Sequence, residues 1–505
     1  MSRCSRARRF KLAALALALV LAPGAARPAE TDAPPVSPAD LAAEVAPFLG
    51  TKWFGLYLNG QKCGYMASAV QRVGERVVVL ESGHLKIAAM GGRGSMRIVA
   101  RREYDLASGA LVSLRETVVM GGTSFCHAGR VEGGAFVFEE TVSGRTATKE
   151  LPVPEENLRD HLAVQRLVRA GAKPGTKAEA KMFEPTTQQV LTMQCEVLGT
   201  ETAVLGGVET RVARVAVTVP EMPALNQSAV VDAEGQILET EMGLGGIKLK
   251  LRSEPKELAR KFSYSKDLLV ATLAPADRPI EKSERVTRLV ARVRGMPEGQ
   301  ALFRDDRLAW QEGPGGTWTL TSAVDKVPGP STWPEELPEG LRKFVKPTPY
   351  IQSDAEEIQA LAKKIAGEEP DPYRAAVAIN DWVYANIAKV FTPAASNALD
   401  TLRTRRGDCG EHAALAVALC RARGLPAREV AGLAYWPPGK GFGGHAWVEV
   451  YVTGRWVALD PAFGQSNADA MHIKFAEGGF SEAASMMKMA PIVGALKFEI
   501  LEVKR

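Results

Sequence analysis

Six prolines fall between Pro328 and Pro349, in "VPGPSTWPEELPEGLRKFVKPTP". Proline fixes φ and has no N–H, so it serves neither a helix interior nor a central strand. Residues 327–350 are therefore expected to be a proline-rich linker that cuts the chain in two. The part before it reads as strands and the part after it opens with helices. A length of 505 residues leaves room for about three domains.

The front part carries its turn signals at short intervals. "WFGLYLNGQKCGYM" places Asn59-Gly60 between two apolar-aromatic runs, which is a hairpin signature. Strand-like runs such as "RVVVLES", "SMRIVARREYD" and "AFVFEETV" follow, then a helical insertion, "EENLRDHLAVQRLVRAG", and then further strands to "IKLKLRS". Residues 45–260 are read as an antiparallel β domain with one inserted helix, and 261–326 as a small β-sandwich-like domain. In the latter, "RVTRLVARVRG" alternates, with Leu289, Ala291 and Val293 on one face. The fold class expected is multidomain: antiparallel β domains, then an α+β domain over 351–480 and a helix/strand extension over 481–505.

The extreme N-terminus has its own pattern. Arg3, Arg6, Arg8, Arg9 and Lys11 precede "LAALALALVLA", and the small residues Gly24, Ala25 and Ala26 follow. That is the order of a secretory signal peptide, expected over 1–26 with a linker over 27–44. The apolar run is too short to span a bilayer comfortably, and no later run is long enough. The net charge of +5 owes much to this leader. Without it the chain is near neutral, so no nucleic-acid partner is expected. The mature chain is expected to be exported, periplasmic or secreted, with no transmembrane span. Five cysteines remain, Cys63, Cys126, Cys195, Cys409 and Cys420, an odd number that leaves at least one thiol outside any intramolecular pairing.

Beyond the prolines, "SDAEE" offers a capping box from Ser353 to Glu356, and Gly367 ends that helix. Asp371-Pro372 starts another, whose stripe includes Ile379, Trp382 and Val383, with Trp382 expected in the core. Then comes "RRGDCGEHAALAVALC", Arg405 to Cys420. The run after Cys409 is apolar nearly all round and is expected to be a buried helix capped at Asp408 or Gly407. Cys420 lies three turns inside it. Cys409 lies at its N-terminus, where backbone N–H groups and the helix dipole favour a thiolate.

A thiolate site usually needs a proton carrier. "GGHAWVEVYV" alternates, with His445, Trp447, Glu449 and Tyr451 on one face, and "RWVALDP" puts Trp456, Ala458 and Asp460 on one face. If Thr453-Gly454 is a two-residue hairpin loop, Val452 pairs with Arg455. His445 then lies diagonally beside Asp460, within reach of a long side chain. Each residue alone has an ordinary structural reading: a helix-start Cys, a satisfied strand His, a strand-end Asp before Pro. Together they form a nucleophile, a base and an orienting acid. A metal site built on Cys409, His412 and His472 lacks the second tight ligand pair that zinc motifs bring, so no metal or other cofactor is expected.

"RRGDCGEHAALAVALCRARGLPAR", "GGHAWVEVYV", "GRWVALDPAFGQ" and the following "DAMHIKFAEG" together resemble the transglutaminase-like superfamily. The resemblance implies a papain-like core in which the cysteine opens a helix packed on an antiparallel sheet. It assigns the nucleophile to Cys409, the base to His445 and the orienting acid to Asp460. Asp408, Glu411 and His412 fit the bacterial variant of the motif. The chemistry implied is acyl transfer on a protein or peptide amide through a thioester, with the N–H of Cys409 as one oxyanion donor and the second unassigned. Three functions compete: an exported hydrolase or amidase, a protein-glutamine cross-linker, and a non-catalytic binding or assembly protein.

Overall fold

The structure is a computed structural model. It describes residues 38–505 apart from 90–91, 121–122, 143, 206–207, 245, 266–271, 328, 334–335, 391–396, 480–484 and 486–487. The expected signal peptide lies outside the described residues, as do residues 27–37. The described residues divide into two compact units: one lies within 38–87 and 94–266, the other chiefly within 267–505.

The first unit is built on one antiparallel sheet of fourteen strands made of two meanders, eight strands before Leu151 and six from Lys177 onward. They join where Gly50–Leu58 pairs with Ile247–Ser253, Leu56 opposite Leu251. The first hairpin turns at Asn59 (φ 47°) and Gly60 (φ 78°), both left-handed, with Leu58 opposite Gln61. This is the two-residue loop that Asn-Gly favours. The helical insertion is two short helices, Leu158–His161 and Ala163–Arg169, broken at Leu162. The expected linker needs correction at its end: Pro38–Val45 is a helix. Its Leu41 and Val45, four residues apart and so on one face, bury in a core with Phe48, Phe136, Leu158 and Phe183.

The second unit contains two sheets and four helices that matter for the site. Strand β1 (Arg288–Arg294) buries Leu289, Ala291 and Val293, as the alternation predicts. It pairs on one side with β3 (Thr317–Ala323), which also pairs β2 (Leu308–Gly313), and on the other with the C-terminal strand β8 (Lys497–Lys504). The sandwich expected over 261–326 is therefore a single four-stranded sheet completed by the C-terminal extension. Both edges of β1 need hydrogen-bond partners, and local sequence supplies only one of them. The short strand Ala274–Pro275 belongs to the other sheet, where it pairs with residues 441–442.

The proline-rich segment is not a bare linker. Glu339–Val345 forms a 3₁₀ helix, Trp333 Nε1 donates to the carbonyl of Glu369 (3.1 Å), and the N–H of Ser331 donates to Asp371 (3.0 Å). Helix α1 is Glu356–Ala366 with Ala355 as its N-cap, so the Ser353 capping box does not form. Ser353 is instead buried in the preceding turn, its N–H donating to Ile351. Helix α2 (Pro372–Asn386) starts as expected, Asp371 accepting from the N–H groups of Tyr373 and Arg374. Trp382 is half-buried rather than core, with the Arg405 guanidinium over its ring at 4.8 Å. That guanidinium covers the face which apolar spacing assigned to the interior.

Candidate active site

Helix α3 (Ala398–Thr404) ends at Arg405, which takes a left-handed φ of 56°. Two residues later Gly407 passes so close to Glu411 that an added Cβ would meet the Glu411 Cβ at 2.2 Å. The space a side chain would take is occupied by a capping box. Asp408 accepts from the N–H of Gly410 (2.9 Å), and Glu411 Oε2 accepts from the N–H of Asp408 (2.8 Å). Helix α4 (Cys409–Ala422) therefore begins at Cys409, and every residue from Cys409 to Cys420 is buried. His412 holds the same turn: its Nδ1 lies 2.7 Å from the carbonyl of Asp408 and its Nε2 3.3 Å from that of Ile387. Both its nitrogens face backbone oxygens, which removes it from the set of metal ligands.

Helix α4 packs against strands β4 (Ala427–Trp436) and β5 (Gly441–Val452), and β5 carries His445. Strand β6 (Arg455–Leu459) folds back on β5 with Val452 opposite Arg455 and Val448 opposite Leu459. The loop between them has left-handed backbone at Thr453 (φ 50°) and Gly454 (φ 83°), as a two-residue hairpin turn needs. This register brings His445 Nε2 to 2.5 Å from Asp460 Oδ2, with both side chains fully buried.

Asp460 has no freedom to turn. Its Oδ1 accepts from the N–H groups of Ala462 (2.7 Å) and Phe463 (2.9 Å). Its Oδ2 accepts from His445 and also from Nε2 of His472, at 3.0 Å. Burial alone would raise its pKa, but the charges and hydrogen bonds of His445 and His472 hold the carboxyl well below its usual range. The turn residue before a proline and the partner of the histidine are thus one residue. Burial lowers the pKa of His412 below its ordinary value, and the bond to Asp408 and the charges of Glu411 and Asp460 offset only part of that.

Sequence reasoning missed a second layer. His472 opens strand β7 (His472–Glu477), and its Nδ1 lies 2.8 Å from Asp469 Oδ1. Asp469 is held by Gln465, whose amide donates to its Oδ2 (2.7 Å). Phe463 packs against His445 with its ring tilted, centroids 4.6 Å apart. Arg307 donates to the carbonyl of Asp469 (2.8 Å) and to Asp325 Oδ2 (3.1 Å). The only local signal was the spacing Asp-x-x-His in "DAMHIKF". A cleft of about 210 Å³ opens beside these residues, lined by Tyr435, Phe463, Gln465, Met471 and His472 among others. The ligating atoms of His445, Asp460 and His472 lie within 4.8 Å of one another. The 2.5 Å His445–Asp460 contact nevertheless has the length of a hydrogen bond and leaves little room for an ion needing about 2 Å to each ligand.

The described cysteines are all thiols. Burial pushes Cys63, Cys195 and Cys420 up to about 12. Cys126 is more exposed and lies 3.1 Å from Arg115.

Comparison with known proteins places a class on this unit. Residues 359–461 match the family model of the transglutaminase-like superfamily. The chain thus carries a transglutaminase-like domain, and the match contains Cys409, His445 and Asp460. An uncharacterized protein of Mycobacterium leprae is 32% identical over 159 residues, which are 29% of this chain and 54% of that protein. The chain therefore spans about half the length of this curated relative. Among solved structures, a candidate cysteine protease from Cytophaga hutchinsonii is 22% identical, covering 43% of this chain and 86% of its own at a TM-score of 0.30. A β-barrel-like protein from Brucella abortus is 13% identical, covering 40% and 94% at a TM-score of 0.31.

Proposed function

We propose that the protein is an exported, cysteine-dependent acyl-transfer enzyme acting on protein or peptide amides, with hydrolysis as its main outcome. The observation that carries this reading is the buried 2.5 Å bond between His445 Nε2 and Asp460 Oδ2, on the strand against which the Cys409 helix packs. With Nε2 committed to Asp460, Nδ1 is the nitrogen that serves the thiol.

In this reading Cys409 is the nucleophile, placed at a helix N-terminus where N–H groups and dipole favour its thiolate. The thiolate sulfur attacks the amide carbonyl carbon, and the N–H of Cys409 receives the developing oxyanion. The C–N bond then breaks, and His445 gives its proton to the leaving amine. Water attacks the thioester and returns a proton to His445. The C–S bond breaks, releasing the acid and restoring the thiolate. Asp460 stays ionised and holds the imidazole. The Arg-rich, Leu/Ala-rich leader supports export to the periplasm or medium.

The test is substrate profiling with glutamine peptides and peptide amides, with and without a primary amine, on wild-type protein and Cys409→Ala. Cysteine-dependent release of acid supports the hydrolase. Amine incorporation that outruns hydrolysis replaces it with a cross-linker. No turnover and no acyl-enzyme across the panel favours a binding module.

A further inference from the structure

We propose that His472 is a resident imidazolium that shares the Asp460 carboxylate with His445 and so sets how readily His445 holds a proton; it is a positioning residue. The inference rests on the triad reading above and goes beyond it, because a Cys-His-Asp set requires no second imidazole on the acid.

The geometry carries the argument. Nε2 of His472 lies 3.0 Å from Asp460 Oδ2, and Nδ1 lies 2.8 Å from Asp469 Oδ1. A neutral imidazole has one N–H donor and one lone pair. With a carboxylate at each nitrogen, the neutral ring would point its lone pair at an anionic oxygen inside a fully buried site. The cation donates at both ends. Burial works against that charge, but Asp469 and Asp460 outweigh it and raise His472 to about 9.

The charged groups around His472 are largely accounted for. Asp460 and Asp469 face its two nitrogens. Arg307 reaches Asp469 only at its carbonyl and is paired with Asp325. Lys474, two residues along β7, is paired with Glu449, which also holds Arg428. Glu284 lines the same cleft. His445 is a close neighbour, its ring centroid 5.5 Å from that of His472.

Two consequences follow for His445. A cation on the same carboxylate oxygen takes part of the charge that would otherwise stabilise a protonated His445. A like charge at this distance also opposes that protonation directly. His445 is thereby kept closer to the point where it can both take and give a proton near neutral pH, as a base working in two steps requires. Without His472, Asp460 would hold the His445 proton more tightly.

The experiment needs no substrate. The pH dependence of Cys409 alkylation by iodoacetamide, read by peptide mass spectrometry, reports the alkaline limb at which His445 loses its proton. His472→Gln should move that limb upward by about one pH unit, while His445→Asn should abolish it. A limb unmoved in His472→Gln but lost in His445→Asn overturns the inference and keeps the triad. A profile indifferent to His445→Asn overturns the triad reading itself. Should His472→Gln fail to fold, histidine ¹⁵N resonances of the wild-type protein decide. Both His472 nitrogens protonated at pH 7 support the proposal, and a single protonated nitrogen overturns it.

Discussion

Arg307 donates to the carbonyl oxygen of Asp469 across 2.8 Å, joining residues 162 positions apart in sequence. Its other arm meets Asp325 Oδ2, which also accepts from the N–H of Ala458 on the strand leading into Asp460. The four-stranded sheet thus holds the acid loop at both its ends. Arg307 and Asp325 are both buried. Removing one member of such a pair leaves an uncompensated charge and costs ~3–5 kcal/mol. Arg307→Met should lower the stability of the second unit by that order, read by chemical denaturation. It should also slow any Cys409-dependent turnover, since the loop carrying Asp460 loses its brace.

Gly407→Ala should damage the Cys409 helix without touching the cysteine. Its Cβ would overlap Glu411, and either the capping box opens or the backbone before Cys409 shifts. Loss of a cap and forced overpacking each cost about 1–2 kcal/mol. Thermal unfolding should register the loss. Glu411→Ala, which keeps the Cβ and removes only the carboxylate half of the box, should be the milder variant.

Much of this site was legible because its parts are local. A two-residue loop at Thr453-Gly454 fixes the pairing of β5 and β6, and that register follows from counting residues. The start of α4 follows from Asp408 ahead of an apolar run. What escaped depends on distant partners. Arg307, Asp325 and β8 reach their places through tertiary contacts that no periodicity reports. Ser353 and Ala355 both precede acidic residues, and burial of Ser353 in a turn decided which became the cap. His472 was visible only through the spacing Asp-x-x-His in "DAMHIKF" and as a candidate metal ligand, and its neighbours Asp460 and Asp469 come together only once the 460–471 loop closes.

The pH dependence of stability has a definite sign. The folded protein raises His472 to about 9, against an unfolded value of about 6.5. The stabilisation is fully present below the unfolded pKa and is lost as pH rises through about 9. Asp460 is depressed, so its contribution is present above the ordinary carboxylate range and is lost as pH falls through its folded value. The melting temperature should fall between about pH 6.5 and pH 9. In His472→Gln that alkaline decline should flatten.

Asp460→Asn should keep the fold and lose the orientation of His445. By analogy with the same change in Ser-His-Asp enzymes, kcat on an amide substrate could fall by a factor on the order of 10⁴. The readout is kcat alongside the melting temperature. A large loss of rate with a small loss of stability is the expected pair.

The most direct measurement is a short iodoacetamide pulse at neutral pH on the native protein, followed by peptide mapping of Cys63, Cys126, Cys195, Cys409 and Cys420. Exposure alone ranks Cys126 first, since it is half-exposed and Cys409 is buried. An activated nucleophile reverses that order: Cys409 labels fastest, and His445→Asn removes its lead. If Cys126 labels first and Cys409 reacts as slowly as the buried Cys63, Cys195 and Cys420, Cys409 is an ordinary core thiol and the acyl-transfer account is contradicted.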